Sequence, residues 1–166
     1  VLHGTASFEL DPPDEAEMAN RMASIVGKGY PYMVALDADG VVAGYAYTSA
    51  YRSRPAYRWA VENSVYVKPT TQRTGIGAAL TREIMRRCVR LGFRQMIAII
   101  GGSDHAASIK MHEKLGFERV GMLKGVGYKH GKWLDSVILQ CELGDGLTSH
   151  PDLDAYPGSL HTPRSA

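Results

Sequence analysis

Gln72-Arg73-Thr74-Gly75-Ile76-Gly77-Ala78-Ala79-Leu80 is the stretch on which the fold turns. It follows "AVENSVYV" (60–67), a β-branched run that reads as a strand and is ended by Lys68-Pro69. After it, Ile76, Leu80, Ile84, Cys88 and Leu91 recur at helical spacing, with Arg82, Glu83, Arg86 and Arg90 outside that face. Gly92 supplies the stop. A strand, a two-glycine turn and a helix N-terminus can cradle a phosphate. The first amides of the helix face outward, and a residue without a Cβ lets an anion come close. Arg73 adds charge. A turn that merely starts a helix explains the same residues and stays open at this point.

Two phosphate-binding patterns fail on their own residues. No GxxxxGK[ST] segment occurs, so a nucleoside-triphosphate loop is excluded. A dinucleotide fingerprint needs a third small residue where Leu80 stands. What remains, beside the plain helix start, is a turn over Gln72, Arg73, Thr74, Gly75, Ile76 and Gly77 whose successive amides would face a pyrophosphate.

Working outward, Asp11 and two prolines open an expected helix that closes at Gly27 or Gly29, with Met18, Met22 and Ile25 or Val26 on one face. "YMVALDADGVVAGYAYTSAY" is a hairpin turning at Asp39-Gly40. "RSRPAYRW" is a loop with three arginines. "RQMIAII" is apolar enough for a strand buried on both faces, and "DHAASIKMHEKLGF" is a short helix. Two long strands follow, turning near His130-Gly131; the tail from Gly144 is expected to be irregular or mobile. The order α-β-β-β-α-β-α-β-β gives an α/β (α+β) class: a mixed sheet with helices packed on it. One domain over 1–144 is expected, with an irregular tail over 145–166.

The bulk composition agrees. The 166 residues are 45% hydrophobic and 22% charged, an ordinary globular balance. A net charge of +2 gives no argument for a nucleic-acid partner. No apolar run is long enough to span a membrane, and no signal peptide is visible. Cys88 and Cys141 read as reduced, buried thiols, so a cytoplasmic location is expected. No metal site is expected.

"V-Y-V-x-P…Q-R-x-G-x-G…L" followed by "A-S-I…H-E-K-L-G-F" resembles the GNAT superfamily of acetyl-CoA-dependent N-acetyltransferases. The likeness is closer to its phosphinothricin N-acetyltransferase branch, through "TASFE", "GYPYMVA", "GYAY", "RRPAYRW"-like "RSRPAYRW", "GFRQM" and "GVGYKHGKWLD". It covers about residues 4 to 144. It implies a GNAT fold with a mixed, mostly antiparallel twisted sheet. It also carries the expectation that a first strand and part of the first helix are missing upstream.

The resemblance implies a mechanism. The strand with Val65, Tyr66 and Val67 would part from "RQMIAII", and the pantetheine arm of acetyl-CoA would lie in the gap. A backbone N–H there would polarise the thioester carbonyl. The resemblance extends the pyrophosphate seat to Ala78. Glu62 would take the amine's proton, directly or through water; a strand carboxylate paired with a nearby Arg is the bland alternative. His112 stands where many relatives carry a tyrosine that protonates the thiolate; a histidine bonded within the fold is its alternative. Tyr128 is a second candidate near the acceptor, or strand packing. Arg52, Arg54 and Arg58 suit an anionic acceptor, with Tyr57 beside them; solvated loop arginines are the alternative. Where the branch has an asparagine opening the short helix, this chain has His105, with Ser108 and Lys114 as further cofactor candidates.

The expected activity is acetylation of the amino group of phosphinothricin or a related small amino acid such as methionine sulfoximine or sulfone, by direct transfer, in a homodimer. A GNAT acting on another small amine and a non-catalytic acyl-CoA-binding module are the rivals. An NAD protein is a third.

Overall fold

The computed structural model describes residues 1–2, 4–102 and 105–158. The elements run α1 (Glu15–Gly27), β1 (Tyr32–Leu36), β2 (Val42–Ala50), β3 (Ala60–Val67), α2 (Ile76–Arg90), β4 (Gln95–Gly101), α3 (Ala106–Lys114), β5 (Glu118–Lys129) and β6 (Lys132–Glu142). This is the order expected from the residues. The six strands form one sheet in the order β1-β2-β3-β4-β6-β5. Every neighbouring pair is antiparallel except β3 and β4.

Helix α2 forms as its spacing predicts. Leu80, Ile84 and Cys88 are buried against Ala46, Val61, Met96 and Ala98, and α3 adds Ile109 to the same cluster. α2 and α3 therefore share one face of the sheet. Helix α1 ends at Gly27 as expected but differs from expectation at its start and in its burial. It starts later, with Asp14 as its cap accepting the amide of Glu17 at 2.8 Å, and none of its residues is fully buried. It rests mainly on the edge strand β1 and its neighbour β2, so Met18 and Ile25 are half-covered while Met22 and Val26 stay exposed.

β4 is central, yet it is not covered on both faces throughout. Met96, Ile97, Ala98 and Ile100 are buried, but Ile99 is 38% exposed. The cause is the ladder: Ala60–Asn63 pair with Gln95–Ala98 and pairing then stops, although β3 runs on to Val67 and β4 to Gly101. Ile99 is the first residue past the break.

The segment from 145 to 158 has no helix or strand, as expected, but it is packed down. Phe93 meets the Tyr156 ring edge-on at 6.4 Å, and the Tyr156 hydroxyl donates to the Lys28 carbonyl at 2.5 Å. Residues 159–166 of the expected tail, and Asp104 in the α3 segment, lie outside the described residues.

Candidate active site

Beyond Asn63 and Ala98, β3 and β4 part, and the backbone groups that β3 turns toward β4 meet no strand. On its other side β3 stays paired, with Val65 opposite Ala46, Tyr66 opposite Tyr45 and Val67 opposite Gly44. The result is a wedge-shaped gap, closed at Asn63 and open at the glycine turn.

The open end is built for an anion. Gly75 caps α2 at φ 92°, a left-handed conformation, and Arg73 is also left-handed at φ 64°. The first helical bond at the turn runs from Ala79 N to Gly75 O at 2.9 Å, which leaves the amides ahead of Ala79 directed out of the helix end. No acidic residue lies in that first turn. Gln72, Arg73, Thr74 and Gly75 are exposed. The Thr74 hydroxyl is held by the Thr71 carbonyl at 2.6 Å, which fixes the turn from within. Gly77 serves packing: a Cβ there would crowd the Met111 sulfur and a Val67 methyl.

The closed end carries the titratable groups. β3 has no bulge, so Glu62, Ser64 and Tyr66 share one face, and Asn63, Val65 and Val67 the other. Glu62 is half-buried beside Ile97; burial lifts its carboxyl above the ordinary range, and Arg52 pulls the other way. On the opposite face His112 is 2% exposed. Its Nδ1 lies 2.9 Å from the Ser108 carbonyl, and so must donate; its Nε2 then accepts from Asn63 Nδ2 at 3.1 Å. The ring also meets Phe117 edge-on at 5.0 Å. Burial pushes His112 down, outweighing the Ser108 bond, and keeps it neutral. Asn63 is 5% exposed, and its Oδ1 has no partner among the described residues.

Asn63 was not among the residues picked from sequence. Neither was a tyrosine wall on the Glu62 face. Tyr45 and Tyr66 stack at 4.8 Å, and Tyr32 stacks on Tyr47 at 5.5 Å. With Glu9 and Arg21 they line a cavity of about 260 Å³. Burial raises Tyr45 to about 12 and Tyr66 further, so both stay phenols. The segment containing "TASFE" crosses this side: Lys129 Nζ donates to the Ser7 carbonyl at 2.7 Å, and Thr5 Oγ1 meets His105 Nε2 at 3.0 Å. The Phe8 ring lies over Gly101 and Gly127, where any Cβ would displace it.

The other expected residues divide. Arg52, Arg54 and Tyr57 are exposed on the β2–β3 loop, with Arg52 stacked 4.5 Å over Tyr51. Arg58 is turned away from that group: its Nη2 donates to the carbonyls of Leu153 at 2.8 Å and Ala155 at 3.4 Å. His105 and Ser108 sit half-buried at the start of α3, while Lys114 is exposed at its end. Tyr128 lies on edge strand β5, separated from β3 in the sheet by β6 and β4, is 59% exposed and packs on Trp133.

The sequence profile of the family described as Acetyltransferase (GNAT) domain matches residues 6–138. The chain belongs to that family. It is 44% identical over 152 residues to the phosphinothricin N-acetyltransferase of Alcaligenes faecalis, covering 92% of this chain and 77% of the relative. It is 40% identical to the L-methionine sulfoximine/L-methionine sulfone acetyltransferase of Pseudomonas aeruginosa, covering 86% and 83%. The crystal structure of a GNAT superfamily phosphinothricin acetyltransferase from Sinorhizobium meliloti in complex with AcCoA superposes with TM-score 0.92 at 51% identity, over 98% of this chain and 87% of that one. The resemblance carried by the glycine turn and its neighbours is thus borne out in family and fold. Among the described residues of this GNAT protein no group of three or more His, Cys, Asp or Glu is placed to hold a metal, and no helix is long and apolar enough to cross a membrane.

Proposed function

We propose that this chain is an acetyl-CoA-dependent N-acetyltransferase acting on the amino group of phosphinothricin or a related small amino acid such as methionine sulfoximine or sulfone. The observation that carries it is the wedge between β3 and β4, with outward-facing amides at its open end and Glu62 and the Asn63–His112 pair at its closed end.

Acetyl-CoA supplies an acetyl group activated as a thioester. Gln72 to Ala78 hold its pyrophosphate through backbone amides and Arg73. The unpaired backbone along Val65, Tyr66 and Val67 bonds the pantetheine arm and donates to the thioester oxygen. Glu62 removes the proton that keeps the acceptor's amine from attacking; its raised pKa suits it to that task. The C–N bond forms as the C–S bond breaks. The leaving thiolate takes a proton from solvent, relayed through His112 Nε2 once that nitrogen parts from Asn63 Nδ2. Arg52 and Arg54 take the acceptor's anionic groups, with Tyr57 beside them. His105, Ser108 and Lys114 remain candidates for the cofactor arm.

The catalytic unit is 1–144, with 145–166 appended to it. A cytoplasmic location fits two buried, unpaired cysteines. A homodimer fits the apolar β5–β6 hairpin, where Val120, Val126, Tyr128 and Trp133 are all more than half exposed.

A thiol-release assay with acetyl-CoA tests the activity across phosphinothricin, methionine sulfoximine, methionine sulfone and a panel of other amines. Release with the first three, above the rest, is expected. Release only with unrelated amines would overturn the acceptor assignment, and none at all would leave an acyl-CoA-binding module.

A further inference from the structure

The C-terminal segment reaches the acceptor loop. Between β2 and β3, residues 52–57 are exposed, and nothing in β2 or β3 pairs with them. Inside the loop one ring contact, Tyr51 to Tyr57 at 5.8 Å, holds the turn Pro55–Tyr57. The next residue, Arg58, closes that turn with its own amide on the Pro55 carbonyl at 3.0 Å. Its guanidinium lies 4.5 Å over the Trp59 ring and donates to Leu153 O and Ala155 O, 95 and 97 residues away. Trp59 is itself fixed, since its carbonyl receives the amides of Arg94 and Gln95 at 2.8 and 3.1 Å.

The segment that supplies those carbonyls is anchored independently of Arg58. Arg94 pairs with Asp145 at 3.4 Å and donates to the His150 carbonyl at 3.4 Å. Tyr156 bonds Lys28 O and packs on Phe93. The space for Tyr156 is made by glycine: a Cβ on Gly29 would run into its phenol, and one on Gly92 would crowd its carbonyl. A fixed strap on one side and a fixed tryptophan on the other leave the guanidinium one place to sit. The loop that presents Arg52, Arg54 and Tyr57 is pinned through it. Ordering an exposed loop beforehand removes a cost that the acceptor would otherwise meet on binding.

We infer that Arg58 is a positioning residue, through which the Leu153–Ala155 strap sets the acceptor loop and hence acceptor affinity. This rests on the acetyltransferase function proposed above. Among the described residues the strap's hydrogen bonds and ring contacts go to Arg58, Arg94, Lys28 and Phe93 and not to the glycine turn, so acetyl-CoA binding stands apart from it.

The test uses the full chain. Arg58→Ala, Arg58→Lys and Tyr156→Phe are compared with the parent for acceptor KM, kcat, acetyl-CoA Kd and Tm. Arg58→Ala raises acceptor KM about tenfold, the size of one charge-assisted hydrogen bond, with kcat and acetyl-CoA Kd within about twofold. Arg58→Lys, which keeps the charge and a donor, recovers part of the loss. Tyr156→Phe, which loosens the strap without touching the loop, raises the same KM, and the double variant Arg58→Ala/Tyr156→Phe is no worse than Arg58→Ala. An effect of Arg58→Ala with none from Tyr156→Phe would overturn the inference in favour of direct contact between Arg58 and the acceptor. A fall in Tm with unchanged KM would reduce the strap to a stabilising element. Should Arg58→Ala not fold, Arg58→Lys and Tyr156→Phe decide. A parent inactive with every acceptor sinks the proposed function instead, which keeps the two failures apart.

Discussion

Glu62 and Asn63 are consecutive residues that face opposite sides of β3 at the point where its ladder to β4 ends. One strand thus offers a carboxylate to one face of the wedge and an amide bonded to His112 to the other. An amine attacking a thioester needs a proton removed on its own side and one supplied on the sulfur's side. Alternation along the strand puts Glu62 on the first side and the His112 pair on the second, where a neutral ring relays a solvent proton through Nε2 rather than supplying its own. Glu62→Gln therefore lowers kcat by about 10²- to 10⁴-fold while acetyl-CoA Kd stays within error. Turnover within twofold of the parent would remove Glu62 from the chemistry.

The acid side of the pH–rate profile reports the same carboxyl. Burial raises the Glu62 pKa, so activity falls as pH drops through a value above the ordinary carboxylate range. Arg52 opposes that rise, because a nearby cation favours the ionised form. Arg52→Ala removes the opposition and moves the acid limb of kcat to higher pH. Arg52→Lys leaves it nearly in place. A limb that moves to lower pH, or not at all, would mean that another group governs it.

What could be read from sequence follows from how local each signal is. The glycine turn, the apolar face of α2 and the Asp39-Gly40 hairpin are written in neighbouring residues, and all were legible. Glu62 is proposed as the base through the family resemblance, and the structure adds that it is half-buried beside Ile97. Asn63 was not legible: a polar residue in a strand has no visible purpose until α3 brings His112 to it from 49 positions away. His112 reads equally as a proton shuttle and as a histidine bonded within the fold, because spacing says nothing of burial; both its nitrogens are engaged. Arg58 looked like Arg52 and Arg54, three guanidiniums in one loop, yet its partners come from the far end of the chain. Tyr128 sits in a stretch that resembles the branch, "GVGYKHGKWLD", and strand order puts it at the sheet edge.

Gly75 caps α2 in a conformation that a side chain resists. Gly75→Ala costs about 1 kcal/mol, roughly 2–4 °C in Tm, and tilts the amides ahead of Ala79. Acetyl-CoA Kd rises while acceptor KM, measured at saturating acetyl-CoA, does not. Isothermal titration with acetyl-CoA checks the first and steady-state kinetics the second. An unchanged acetyl-CoA Kd would move the pyrophosphate off this turn.

His112 links stability to pH. Its folded pKa is lowered by burial, so the folded chain holds fewer protons than the unfolded one over the range between the two values. Stability is then whole above the unfolded pKa of about 6.5 and declines as pH falls below it, down to the lowered folded value. Urea midpoints measured from pH 7.5 down to pH 5 should fall for the parent. His112→Gln, which can still meet Asn63 but carries no titrating proton, should flatten that slope while lowering the midpoint throughout. Asn63→Leu should lower the midpoint at every pH and leave the slope, because burial and not the amide is the larger cause of the shift. An equal slope in His112→Gln would assign the acid sensitivity to the carboxylates instead.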